Sequence, residues 1–128
     1  MKALLDTCTF LWATLDDPKL SACARDVLRD PTNEIYLSAV SAWEMAAKYR
    51  AGRLPLPEPP HRFVPKYREL LRVRPLDLAE GAALRASQLP DIHRDPFDRM
   101  LVCQALVHGL TLLTPDPSIA RYPVLVCW

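Results

Sequence analysis

The sequence predicts a three-layer α/β/α sandwich on a mostly parallel central sheet. Three observations carry that expectation. Short, continuous apolar runs end abruptly in polar punctuation, as strands buried on both faces do. Segments with cap residues at their ends separate those runs. The resulting order is strand, helices, strand, helix, helix, strand, helix, strand, and such alternation builds parallel sheets. The 128 residues, 50% hydrophobic and 24% charged, suffice for one domain spanning 1–128. A chain of this size buries roughly two thirds of its extended surface, enough for a core without staples.

The strand candidates are Ala3–Leu5 before Asp6-Thr7, Glu34–Ser38, Leu110–Thr114 before Pro115-Asp116, and Pro123–Cys127. Val73–Asp77 is a weaker fifth, because Pro75 confines it to an edge or a short piece. Between them, Asp6-Thr7 can cap a first helix, and Ser21 a second that runs to Leu28 and closes at Pro31. Ser38 can cap Ala39–Arg50, with Gly52 where a C′ glycine belongs. Pro65 starts or bends the helix that reaches Leu71. Asp77 with Glu80 resembles a capping box ahead of Gly81–Gln88, which Pro90 stops. The clearest start is Asp95-Pro96, a cap followed by proline at the first helical position, opening Phe97–His108 before Gly109. Leu54-Pro55-Leu56-Pro57-Glu58-Pro59-Pro60 is too short and apolar for an interdomain linker and reads as a stiff loop.

Composition excludes several classes. A net charge of +1 gives no overall field to advertise nucleic acid or a membrane. No apolar run approaches the ~20 residues that cross a bilayer, and the N-terminus meets Asp6 too soon for a signal peptide. Neither secretion nor membrane insertion is expected. Cys8, Cys23, Cys103 and Cys127 lack zinc spacing and are expected as reduced, packed thiols, with Cys23–Cys103 the one pairing considered. Ser38, Ser41 and Ser118 lack the glycine-flanked elbow of a serine hydrolase. Cys8 lacks a motif-placed histidine, and three glycines cannot build a phosphate loop. His61, His93 and His108 read as local hydrogen-bonders, and Trp12, Trp43 and Trp128 as core or interface residues.

Four acids remain. In open parallel sheets, ligands sit outside the carboxyl ends of strands, where strand order switches. Asp6 follows the first strand and Asp116 the fourth, while Glu44 and Asp98 stand near helix starts among apolar neighbours. Carboxylates in such surroundings are costly unless paired, and four together resist ionisation unless a cation neutralises them. One or two Mg²⁺ or Mn²⁺ ions take oxygen ligands of this kind and catalyse phosphodiester hydrolysis. Setting the four acids aside, eleven acids against sixteen bases leave the remainder at +5. Lys48, Arg50, Arg53, Arg94, Arg99 and Arg121 adjoin the acidic segments, where they could hold phosphates.

Leu4-Leu5-Asp6-Thr7, Ser38-Ala39-Val40-Ser41-Ala42-Trp43-Glu44, His93-Arg94-Asp95-Pro96-Phe97-Asp98-Arg99 and Thr114-Pro115-Asp116 closely resemble the PIN domain. The likeness is strongest to the VapC-type toxins of bacterial toxin–antitoxin pairs and runs from Leu4 to Trp128. It implies a PIN-like fold and a cytoplasmic Mg²⁺- or Mn²⁺-dependent endoribonuclease, held inactive by an antitoxin protein and often homodimeric. It carries the metal-site role onto Asp6, Glu44, Asp98 and Asp116, with Thr7 and Thr114 as supporting hydroxyls and RNA as substrate. Cys8 departs from the pattern, which often has histidine there. A groove of Phe10, Leu11, Trp12, Leu15 and Trp43 would suit an antitoxin helix.

Each acid has a plainer explanation alone. Asp6 can cap a helix, Glu44 can pair with Lys48 four residues on, Asp98 suits a first helical turn, and Asp116 can shape a turn. Four such accidents at one rim are improbable together. The competing functions are a receiver-like phospho-acceptor signalling domain and a PIN-fold protein that only binds. The first wants paired acids after the first strand and a lysine after the last, and both are missing.

Overall fold

Asp6, Ser21, Ser38 and Asp95 each precede a helix and accept an amide bond from its first turn. These caps set the frame of a computed structural model that describes residues 1–128. The strands are β1 (Lys2–Leu5), β2 (Glu34–Ser38), β3 (Arg74–Leu76), β4 (Thr111–Leu113) and β5 (Val126–Cys127). The helices are α1 (Thr7–Leu15), α2 (Ala22–Arg29), α3 (Ala39–Arg50), α4 (Pro60–Leu70), α5 (Glu80–Arg85) and α6 (Pro96–His108). Short 3₁₀ turns follow at Ala86–Gln88 and Ile119–Arg121.

All four strand pairings are parallel, in the order β3-β2-β1-β4-β5. The chain leaves β1 to one side for β2 and β3, then returns to the other side for β4 and β5. The order therefore reverses at β1 and β4, whose carboxyl ends carry Asp6 and Thr114–Asp116. Side chains alternate across the sheet, giving two apolar layers. Ala3, Leu5, Ile35, Leu37 and Leu113 pack with Phe10, Ala24, Val27 and Phe63 on one face. Leu4 and Leu112 pack with Ala82, Leu101, Val102 and Ala105 on the other.

The predicted α/β/α sandwich is the observed architecture, with local differences. Pro75 sits in β3 at the sheet edge, where its missing N–H is harmless. The expected strand Pro123–Cys127 keeps only Val126 and Cys127 in register with Leu112 and Leu113. Asp77 does not cap α5. That helix begins at Glu80 after Ala79 with no side-chain cap, while the Asp77 carbonyl takes a bond from Gln104 Nε2 at 3.3 Å. Pro65 lies inside α4 on its exposed side, and the start is made instead by Pro59-Pro60. Gly52 and Gly109 end α3 and α6 with φ of +73° and +66°, the left-handed turn glycine makes without strain.

The cysteine expectation is corrected: Cys23 in α2 and Cys127 in β5 form a disulfide, with Cα atoms 6.7 Å apart. They are 104 residues apart in sequence, and only the sheet order brings the edge strand against α2. Cys103, the partner considered for Cys23, is a free buried thiol on the opposite face, and Cys8 is also free.

Candidate metal centre

The site is assembled by backbone bonds at the carboxyl ends of β1 and β4. The Asp6 amide donates to the Leu113 carbonyl at 3.1 Å, and Thr9 Oγ1 donates to the same oxygen at 3.0 Å. Asp6 in turn accepts the Thr9 amide at 2.8 Å, so its buried carboxylate caps α1 from the carboxyl end of β1. The cap engages Oδ1, and the weak Cys8 thiol contact at 3.5 Å is what Oδ2 meets.

Glu44 comes from the second turn of α3 and is only 5% exposed. Its Oε1 accepts the Thr7 hydroxyl at 2.6 Å. Ser41 lies 3.0 Å from the same hydroxyl, and because Thr7 has one proton, Ser41 donates to it. Lys48 pairs with Oε2, as its spacing suggested, but on a buried carboxylate. Ser38 caps α3 through the Val40 amide at 2.9 Å and bonds the fully buried Gln104 of α6. This bond ties the helix carrying Glu44 to the helix carrying Asp98.

Asp98 lies in the first turn of α6, positioned by Asp95, whose Oδ1 accepts the Phe97 amide at 2.9 Å. Burial, with the negative charges of Asp95, Asp6 and Glu44, pushes the Asp98 carboxyl up to about 7 against the pull of His93. Asp116 behaves oppositely. Burial alone would raise it, but the Ser118 amide (2.8 Å) and His93 outweigh burial and hold it below its ordinary value. Thr114, fully enclosed, accepts the Asp116 amide at 3.1 Å and shapes that turn. Cys8 Sγ donates to Asp6 from 3.3 Å, and burial with the Asp6 charge holds its thiol protonated far above the ordinary value.

Asp6 and Glu44 thus bear on Asp98 through their charges, outside the ligand distance at which Asp98 and Asp116 meet, and His93 joins these last two. Its Nε2 lies 2.8 Å from Asp116 Oδ2 and 3.3 Å from Asp98 Oδ2. Ligand atoms of His93, Asp98 and Asp116 all fall within 4.8 Å of one another. His93 is expected from the sequence as an isolated hydrogen-bonder, whereas the structure joins it to two of the candidate acids. The available signal was its place at the head of His93-Arg94-Asp95-Pro96-Phe97-Asp98-Arg99, the segment that carries part of the PIN resemblance.

Beside the acids, His93, Arg94, Arg99 and Asp91 line a cleft of about 480 Å³. Arg94 and Arg50 are exposed. Arg99 is turned inward instead: Nη1 donates to the Pro90 carbonyl at 2.9 Å and Nη2 to that of Ala86 at 2.8 Å. It holds the loop before Asp95 and has little left for a phosphate. The expected apolar groove also divides. Leu11, Trp12 and Leu15 line one of about 230 Å³ with Leu54, Leu56 and Phe63. Phe10 is fully buried in the core, and Trp43 lies elsewhere, 66% exposed and edge-on to Phe97 at 5.2 Å.

The family model described as PIN domain matches residues 3–125. The chain belongs to the PIN domain family. It is 44% identical over 79 residues to Ribonuclease VapC16 of Mycobacterium tuberculosis, across 57% of this chain and 56% of that protein. The matched stretch is therefore little more than half of VapC16. Ribonuclease VapC22 of the same organism is 28% identical over 120 residues, across 93% of this chain and 90% of its own. Among solved structures, VapBC2 from Rickettsia felis bound to a DNA fragment from its promoter superposes with a TM-score of 0.75 at 16% identity. That match covers 100% of this chain and 99% of the other, and it shows a common PIN fold.

Proposed function

We propose that this PIN domain is a Mg²⁺- or Mn²⁺-dependent endoribonuclease acting in the cytoplasm as the toxin of a toxin–antitoxin pair. One observation carries the proposal: Asp98 and Asp116 meet at His93, with ligand atoms of all three within 4.8 Å of one another, and the charges of Asp6 and Glu44 help hold Asp98 up to about 7. A desolvated carboxyl among like charges is what a bound dication relieves. The donor set fits a hard cation, being carboxylate oxygens with no thiolate available, since Cys8 stays protonated. The name ribonuclease borne by the VapC relatives supports RNA as the substrate.

Asp6, Asp98 and Asp116 would hold the ions, with Glu44 beside them. Bound there, one or two such ions supply water activation and neutralise charge that develops on the phosphate. The chain's own residues do the rest. Thr7 and Ser41 fix the Glu44 carboxylate, and the Thr114 hydroxyl fixes the turn that presents Asp116. Arg94 at the cleft mouth, with Lys48 and Arg50 along α3, would hold phosphates flanking the scissile one. Arg99 keeps the cleft wall in place.

An antitoxin protein and a second copy of this chain complete the proposal. The groove of Leu11, Trp12, Leu15, Leu54, Leu56 and Phe63 suits the apolar face of an antitoxin helix. No helix of the chain is long and apolar enough to cross a membrane. The test is incubation of the purified protein with a structured RNA pool in Mg²⁺ or Mn²⁺, beside an EDTA control and Asp98→Asn. Cuts that need metal and vanish in the variant support the enzyme. RNA left whole, together with no metal binding, would sink it.

A further inference from the structure

The His93 ring is held from both sides. The Asp95 amide donates to Nδ1 at 3.1 Å, so Nδ1 is unprotonated and the ring proton sits on Nε2. That Nε2–H bonds Asp116 Oδ2 at 2.8 Å, and Asp98 Oδ2 lies beside the same nitrogen at 3.3 Å. The backbone is fixed as well: the His93 amide donates to the hydroxyl of buried Tyr122 at 2.9 Å. Arg99 donates to that hydroxyl at 3.2 Å. A rigid donor therefore holds Asp116, with Asp98 against the same ring nitrogen.

The bonds leave room for an ion. Asp116 spends one lone pair of Oδ1 on the Ser118 amide and one of Oδ2 on His93, and each oxygen keeps another. Ligation by Nε2 itself would need the ring proton on Nδ1, facing the Asp95 N–H, donor against donor.

We propose that His93 is a positioning residue of this centre: its Nε2–H orients the Asp116 carboxylate and the ring holds it at a set spacing from Asp98, and it does not ligate the ion. The proposal rests on the metal-centre reading above. Outer-shell donors of this kind are worth roughly 10–100-fold in metal affinity.

The test uses the full chain without RNA, titrated with Mn²⁺ by calorimetry, as wild type, His93→Ala, His93→Gln and Asp98→Asn. Metal-free thermal unfolding is the check on the fold. His93→Ala should bind Mn²⁺ about 10–100-fold more weakly. His93→Gln, whose amide N–H can reach the same acceptors, should return to within about threefold of wild type, a recovery that tests the donor role. Pulsed EPR of Mn²⁺ in the wild type should show no directly coordinated nitrogen. Unchanged affinity in His93→Ala, an equal loss in His93→Gln, or a coordinated nitrogen would each overturn the proposal. If His93→Ala does not fold, the glutamine variant and the EPR signal decide it. Wild type that binds no Mn²⁺ would overturn both the metal centre and this role. Loss in Asp98→Asn without loss in His93→Ala would overturn the role alone.

Discussion

Asp98 and Asp116, neighbours through one imidazole, are pushed in opposite directions, and their signs make separate expectations. Asp98 titrates near 7 in the folded chain against an ordinary 3.8. Between those values the unfolded chain has released the proton that the folded chain keeps. Its contribution to stability therefore falls as pH rises from about 4 to 7 and is level above. Asp116, held below its ordinary value, contributes stability that is present above that value and lost as pH falls through the lower folded one. A cation must expel the Asp98 proton, so Mn²⁺ affinity should rise by roughly tenfold per pH unit up to about 7 and then level. Calorimetric titrations from pH 5.5 to 8.5 check this, and a flat profile would contradict it. At this scale the places of Asp6, Asp98 and Asp116 were legible, because each occupies a strand end or helix start that a short segment declares. His93 was not, because its meaning depends on Asp116, 23 residues later, and on a loop held by Arg99.

At the scale of elements, the Asp95 cap does two jobs that substitution can separate. It orders the first turn of α6, and its charge is the largest electrostatic contribution after burial to the raised Asp98 carboxyl. Asp95→Asn keeps a good cap and removes the charge, whereas Asp95→Ala removes both, costing about 1 kcal/mol of stability. We expect the Asp98 titration to move below 7 in both variants and the stability loss in alanine alone. Carboxyl-carbon NMR with denaturant unfolding reads the two effects. An unmoved Asp98 in Asp95→Asn would refute the electrostatic assignment. Caps of this kind made most helices readable from sequence. The failure at Asp77 has a physical cause: its carbonyl is engaged by Gln104 from α6, a contact no local pattern encodes. Likewise β5 is shorter than its apolar run, because strand length depends on the register of β4 beside it.

Across the whole molecule, the Cys23–Cys127 bridge fastens the last strand of the sheet to α2. It closes a loop of 104 residues, for which chain entropy allows a stabilisation of up to about 4–5 kcal/mol. Cys127→Ser, or reductant on wild type, should lower the unfolding midpoint, while reductant leaves the variant unchanged. Thiol titration of the denatured, unreduced protein should count the two free residues, Cys8 and Cys103. Equal midpoints with and without reductant would contradict a structural bridge. The layered sheet was foreseeable from alternating apolar runs, but the bridge was not, since compartment logic argued for free thiols. The same long-range order that pairs these cysteines brings Asp6 and Asp116 to one rim. The central claim, that this rim is a metal centre, is tested most directly by anomalous diffraction from crystals grown with Mn²⁺. We expect a peak bonded to carboxylate oxygens of Asp6, Asp98 and Asp116, and its loss in Asp98→Asn. Crystals saturated with Mn²⁺ that show no peak among these residues would contradict the account.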